Sequence, residues 1–322
     1  MPRLSIVIPV WGKLEQLEET LLSVLENQPD DSEIVVVLDQ PYADPYNLKD
    51  EIRFVEAPRG AGLAAAINQG VLVSRAPIVH LLLCGARVGE GWCDAALARF
   101  DDPGVAAVAP VLVDQDRPAT ILAAGVSYGV GGRVRLLGRG RPAASATAYQ
   151  RRIQAPHLVA GFYRQSALSS VSLFSADVGE HLTVLDLALS LQQAGLRTVL
   201  EPGCQVLAAA GAECRVGPFR RSLELERFFW RFFPRGGWLT ALVCHAVVVL
   251  GESLLGIPRL AMPAHSAGRL LGMLRIGSHG QNRRRLQRLQ PKGETSAALA
   301  APHFGETSTL RIDRPLDAAK WR

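Results

Sequence analysis

The chain has 322 residues, 48% of them apolar and 20% charged, which argues for a globular protein with a sizeable core. Five cysteines with no CxxC spacing exclude a disulfide framework and a zinc ribbon, and they favour a reducing, cytoplasmic setting. The net charge of +5 is uneven: residues 1–210 hold 17 Lys+Arg against 22 Asp+Glu, and residues 211–322 hold 18 against 8.

Met1-Pro2-Arg3 runs straight into an apolar stretch, Leu4 to Val10, with no export signal. Pro9 and Trp11-Gly12 stop this strand. Leu14, Leu17, Leu21, Val24 and Leu25 then recur at helical spacing. Glu33 to Leu38 reads as a second strand ending in Asp39, and Arg53 to Glu56 as a short third. Gly60 opens an Ala-rich helix reaching about Val73, and Ile78 to Leu83 reads as a fourth strand, covered on both faces. This alternation predicts parallel strands with right-handed crossovers. A helix over Trp92–Phe100, a strand over Val105–Val113 and a Gly-punctuated hairpin insertion over 121–142 follow. His157 to Tyr163 is a further strand, Leu182 to Ala194 a helix capped by Gly195, and Arg197 to Leu200 a last strand.

Three regions are expected: an α/β domain over 1–210, a helical appendage over 211–275, and a basic connector with a largely disordered tail over 276–322. In the appendage Leu, Phe and Trp alternate with Arg from Phe219 on, and Trp238 to Leu250 is almost wholly apolar. On charge alone this part could meet anionic lipid or nucleic acid, and a solvated basic face is the plain alternative. Aromatic and Arg flanks on an apolar helix favour a membrane surface over nucleic acid. The protein is therefore expected in the cytoplasm, peripheral on the inner face of the membrane.

The loop after the fourth strand, Cys84-Gly85-Ala86-Arg87, faces the crevice where open α/β sheets bind ligands. A metal-assisted transferase would place carboxylates there against a diphosphate. Here the positions carry Cys84, Gly85 and Ala86. Gly60-Ala61-Gly62-Leu63-Ala64-Ala65 also matches a GxGxxA dinucleotide fingerprint, but His80 and Leu81 stand where the ribose-binding acid belongs. An oxidoreductase reading rests on that segment alone.

The order of these pieces resembles family 2 glycosyltransferases of the GT-A fold, nearest the rhamnosyltransferase-like branch. Leu4 to Gly12, Glu33 to Asp39, Arg59 to Gly70, Gly91-Trp92 and Val159 to Arg164 fall in register with the family's segments. The resemblance implies a mostly parallel sheet flanked by helices, and sugar transfer from a nucleotide sugar to a polysaccharide or lipid-linked acceptor. It places Pro9, Asp39, Gly62 and Asn68 at the nucleotide, and Gly161 and Phe162 on the acceptor side.

The same alignment puts Cys84 and Ala86 on the metal-binding loop, Thr183 and Val184 on the acidic pair that supplies the base, and Ala208 on a late His. It therefore predicts that the divalent metal is lost and that no cofactor is needed beyond the donor. An inverting, metal-independent enzyme would then lean on Arg87 at the diphosphate and His181 as base. The rival is a non-catalytic pseudo-glycosyltransferase, a binding or scaffold protein paired with an active glycosyltransferase in envelope glycan assembly.

Overall fold

The computed structural model describes residues 2–10, 14–58, 60, 62–171, 173–211, 216–234, 236–256 and 262–274. The expectations for Trp11-Gly12 and for the tail over 276–322 lie outside the described residues, as do Arg59 and Ala61 of the Gly-rich segment.

The first four strands are β1 (Leu4–Pro9), β2 (Ser32–Leu38), β3 (Ile52–Glu56) and β4 (Ile78–Leu82). All six residues of β1 are buried, as is usual for a strand covered on both faces. Helix α1 (Glu15–Glu26) connects β1 to β2, and α2 (Leu63–Val73) connects β3 to β4. Gly70 lets α2 lie directly on the sheet. A Cβ there would run into Val7 Cγ1 and stand 3.0 Å from Val37 Cγ2.

After the short helix α3 (Asp94–Ala98) come β5 (Val105–Asp114) and β6 (Arg117–Ala123), then the pair β7 (Val126–Tyr128) and β8 (Val134–Leu136). The helix predicted over Trp92–Phe100 is thus only five residues long and passes into a tight turn at Arg99–Asp101. Strand β9 (Ala160–Arg164), α4 (Gln165–Val171), α5 (Thr183–Gln193) and β10 (Arg197–Ala208) complete the α/β part. Gly195, at φ +82°, ends α5 as the sequence indicates. β10 runs eight residues beyond the predicted Leu200, because its far half pairs with Val111 to Asp114 of β5 after an irregularity between Glu201 and Gln205.

The main sheet has the order β10-β5-β9-β4-β1-β2-β3, with β6 on β5. β1, β2, β3 and β4 are mutually parallel, and so are β5 and β10. β9 is the exception. It runs antiparallel between β4 and β5, with Phe162 opposite both His80 and Val108. A strand reached through a helical crossover enters the sheet from the same edge as the strand before it. β9 instead follows the β6–β8 segment, which leaves the sheet at the carboxyl end of β5, so it enters from that end and runs back. The result is an α/β architecture with a mostly parallel sheet flanked by helices and followed by C-terminal helices.

Those helices are α6 (Pro218–Arg231), α7 (Trp238–Gly256) and α8 (Met262–Leu274). α6 joins the main core through Leu225 and Phe228. Among the described residues, no helix is long and apolar enough to cross a membrane.

Candidate active site

The strand directions gather one set of residues at one sheet edge. Because β9 is antiparallel to both β4 and β5, the carboxyl ends of β1, β2, β4, β5 and β10 share that edge with the start of β9. Pro9, Asp39, the Cys84–Ala86 loop, Gly161 and Ala208 therefore meet there. α2 begins after β3 and α5 ends before β10, so Gly62 and the segment Glu180–Thr183 belong to the same edge. Such an edge is where open α/β sheets bind ligands.

The floor is rigid. Gly85, at φ +87°, donates its N–H to Thr20 Oγ1 at 2.8 Å, and the Arg87 and Leu207 backbones exchange hydrogen bonds of 2.8 and 2.9 Å, fastening the loop to β10. Ala86 is buried and Cys84 half-buried, its thiol pushed up to about 12 by burial and by the Asp39 carboxylate. The Arg87 guanidinium is held by Glu19 of α1, Nη2 to Oε2 at 2.6 Å. His80, fully buried beneath the loop, stacks on Phe162 at 3.8 Å and lies 3.2 Å through Nδ1 from the Gly161 carbonyl. Burial pushes its pKa down to about 3.

Asn68 spends its side chain on a protein partner. Nδ2 donates to the Phe174 carbonyl at 2.8 Å, and Oδ1 accepts the Phe174 N–H at 2.9 Å. This two-way bond ties α2 to the segment that leads into Glu180 and His181. Thr183 is buried, its hydroxyl donating to Ser175 O at 2.9 Å, and Val184 lies in the core.

His181 stands differently. Nδ1 lies 3.1 Å from Oε2 of Glu224 on α6, and buried Nε2 has no hydrogen-bond partner among the described residues. Burial works to raise the Glu224 carboxyl, but His181 and Arg220 outweigh it and hold the group below the ordinary glutamate range. Gly179, at φ +88°, makes room: a Cβ there would run into the Glu224 carboxylate. Two turns further on α6, Arg231 Nη2 donates to Asp186 Oδ2 at 2.9 Å and Nε stands 2.6 Å from Oδ1, an ion pair buried at the start of α5. Glu180 Oε1 comes within 3.6 Å of where a Cβ of Gly62 would sit.

Two acids at this edge thus escape the sequence reading. Glu224 is 43 residues beyond His181 in a different helix, and no local pattern links them. Glu180 carried a signal, since it directly precedes His181, but the alignment drew attention to positions 183 and 184.

The molecule resembles known proteins in part. Over 123 residues it is 30% identical to Polypeptide N-acetylgalactosaminyltransferase 12 of Mus musculus and 29% identical to that of Homo sapiens, covering 35% of this chain. The matched stretch spans about a fifth of those relatives' length, 21%. A solved structure of GalNAc-T7 with UDP, GalNAc and Mn2+ superposes with a TM-score of 0.54 at 14% identity, covering 73% of this chain and 48% of that one. The mannosyltransferase PcManGT from Pyrobaculum calidifontis, in complex with GDP-Man and Mn2+, gives 0.49 at 16% identity, covering 89% and 86%.

These structures correct one expectation. Loss of the divalent metal was inferred from Cys84 and Ala86 alone, yet the GalNAc-T7 structure that shares this fold was solved with UDP, GalNAc and Mn2+. A hard cation carried on a diphosphate needs only one or two protein oxygens, so two substituted positions cannot decide its presence. At those two positions the residues do not fit such an ion, since Ala86 has no donor and the Cys84 thiol stays protonated. Among the described residues no group of three or more His, Cys, Asp and Glu is placed to hold one. No catalytic step is therefore drawn through a metal.

The family model that matches is Glycosyl transferase family 2, over residues 5–125, and that match lies within a GT-A-like α/β fold.

Proposed function

We propose that the protein transfers a sugar from a nucleotide sugar to an acceptor hydroxyl, with His181 as the base and Glu224 orienting it. The observation that carries this reading is the His181–Glu224 pair, standing at the sheet edge that also holds Gly62 and Asp39. A carboxylate on one imidazole nitrogen fixes the ring and strengthens the other nitrogen as a proton acceptor. In this reading the acceptor displaces what covers His181 Nε2 and gives that nitrogen its hydroxyl proton, its oxygen bonds to the anomeric carbon, and the bond from that carbon to the phosphate oxygen breaks on the opposite face. The configuration inverts, and the nucleoside diphosphate leaves.

Asp39 and the start of α2 at Gly62 hold the nucleotide in this reading, with Pro9 at the end of the neighbouring strand. Asn68 positions the base-bearing segment. Arg87 can serve the diphosphate only by exchanging Glu19 for it. Gly161 and Phe162 form the acceptor side. The rhamnosyltransferase-like branch and a polysaccharide or lipid-linked acceptor rest on sequence resemblance, and the cytoplasmic setting on the cysteine pattern.

A second reading, a non-catalytic scaffold partnered with an active glycosyltransferase, is favoured by one observation: Thr183 and Val184 are built into the core and offer no carboxylate. Calorimetric titration with UDP, GDP and dTDP, each with and without Mn2+, separates the two. Saturable binding of one nucleotide supports the transferase, and the Mn2+ arm measures how far binding depends on the ion. No binding of any nucleotide in either arm leaves the scaffold.

A further inference from the structure

Helices α7 and α8 are built inside out. The inward side of α8 carries Arg269, which is 5% exposed, and His265, whose Nδ1 lies 2.6 Å from Ser222 Oγ of α6. Gly268 and Gly272 bring that side against α6, where a Cβ at Gly272 would stand 2.6 Å from Glu226 Cβ. α7 turns His245 inward, Nδ1 2.8 Å from the Gly131 carbonyl and Nε2 3.0 Å from Glu226 Oε2. Charge is buried and aliphatic surface is turned out. Leu239, Val243, Val247, Leu250 and Leu254 form one stripe along α7, each 57–64% exposed, and Leu270 of α8 is 64% exposed. A helix facing water shows the reverse distribution, and an apolar face of this extent marks a contact with something other than solvent.

The chemistry of the face selects its occupant. The only charged side chains on α7 and α8, Glu252 and Arg269, are bound to each other at 2.5 Å, so neither helix presents charge outward. A helix-pairing seam would carry flanking charges to fix its partner, and a protein interface would carry aromatic anchors and a hydrogen-bonding rim. The outward stripe of α7 is wholly aliphatic, and α8 adds the exposed Leu270, which suits acyl chains. Over residues 211–322 the sequence holds 18 Lys+Arg against 8 Asp+Glu, a basic excess that favours an anionic partner. Among the described residues, no helix is long and apolar enough to cross a bilayer.

We infer that the α7–α8 face lies on an anionic lipid surface, with its aliphatic stripe at the level of the acyl chains; the basic excess of this part of the sequence selects anionic over neutral headgroups. This stands independently of the transferase reading.

The test is flotation of the full chain with vesicles of phosphatidylcholine alone and of phosphatidylcholine with about a third phosphatidylglycerol. The protein should float with the anionic vesicles, and binding should weaken as salt rises. The double variant Val247→Glu/Leu250→Glu should bind at least about tenfold more weakly while keeping the parent's melting temperature and nucleotide binding. Leu270→Gln on α8 serves as a second, milder variant, expected to weaken binding in the same direction. Failure of the parent to float overturns the inference. So does a parent dimer that floats poorly and that Val247→Glu/Leu250→Glu converts to monomer, because the face would then belong to a second copy of the chain.

Discussion

His181 and Glu224 make the sharpest residue-level prediction. With a transferable donor and acceptor, His181→Ala should lower kcat by about 10²–10⁴-fold, and Glu224→Gln should lower it less, with KM for the donor unchanged in both. Steady-state kinetics check this, and an unaltered kcat in His181→Ala would remove the residue from the mechanism. His80 makes a prediction about stability. Its folded pKa lies below its unfolded one, so between about pH 6.5 and 3 the unfolded chain binds one more proton and stability falls as pH falls. That one group contributes up to ~1.4 kcal/mol per pH unit, and His80→Gln should flatten the pH dependence of the urea midpoint over this range. At this scale the sequence was legible where a residue's place is set by its neighbours in the chain: Asp39 just past a strand end, Gly195 at a helix end, His80 within a buried strand. It was silent on Glu224, because that residue reaches His181 only through the packing of α6.

At the scale of elements, α5 and α6 are locked by Asp186 and Arg231. Asp186→Ala would leave a guanidinium that is 11% exposed without its carboxylate. Breaking such a buried pair from one side costs about 3–5 kcal/mol. The double replacement Asp186→Leu/Arg231→Leu should recover most of that, and chemical denaturation of the parent and the two variants checks both. Strands β1, β2 and β4 were plain from sequence because strands covered on both faces are continuously apolar. The direction of β9 was not, because periodicity reports which face is buried and says nothing of which way the chain runs. The full length of β10 was hidden by Glu201-Pro202-Gly203, residues of low strand propensity that here sit at an irregularity in the pairing with β5. That Trp238 to Leu250 is apolar was plain from sequence, but which of its residues face outward was not, because the run is apolar on nearly every side.

For the molecule as a whole, acid should act in two stages. Burial would raise the Glu226 carboxyl, but His245, Trp230 and Arg269 hold it below the ordinary glutamate range. Its contribution is therefore present above the unfolded pKa and lost as pH falls through the lower folded one. Destabilisation driven by His80 begins near pH 6.5, and loosening of α7 and α8 follows only below the ordinary carboxylate range. Hydrogen exchange at a series of pH values should show α8 amides losing protection in that second step. The second step bears on α6, which carries Glu226. One side of this helix presents Glu224 and Arg231 to the sheet edge, and the other presents Ser222 and Glu226 to α7 and α8. A single rod fourteen residues long thus acts as a lever with an arm in each compartment of the molecule. A tilt of α6 would carry both faces together, so a displacement of α7 and α8 is expected to shift Glu224 and, with it, His181.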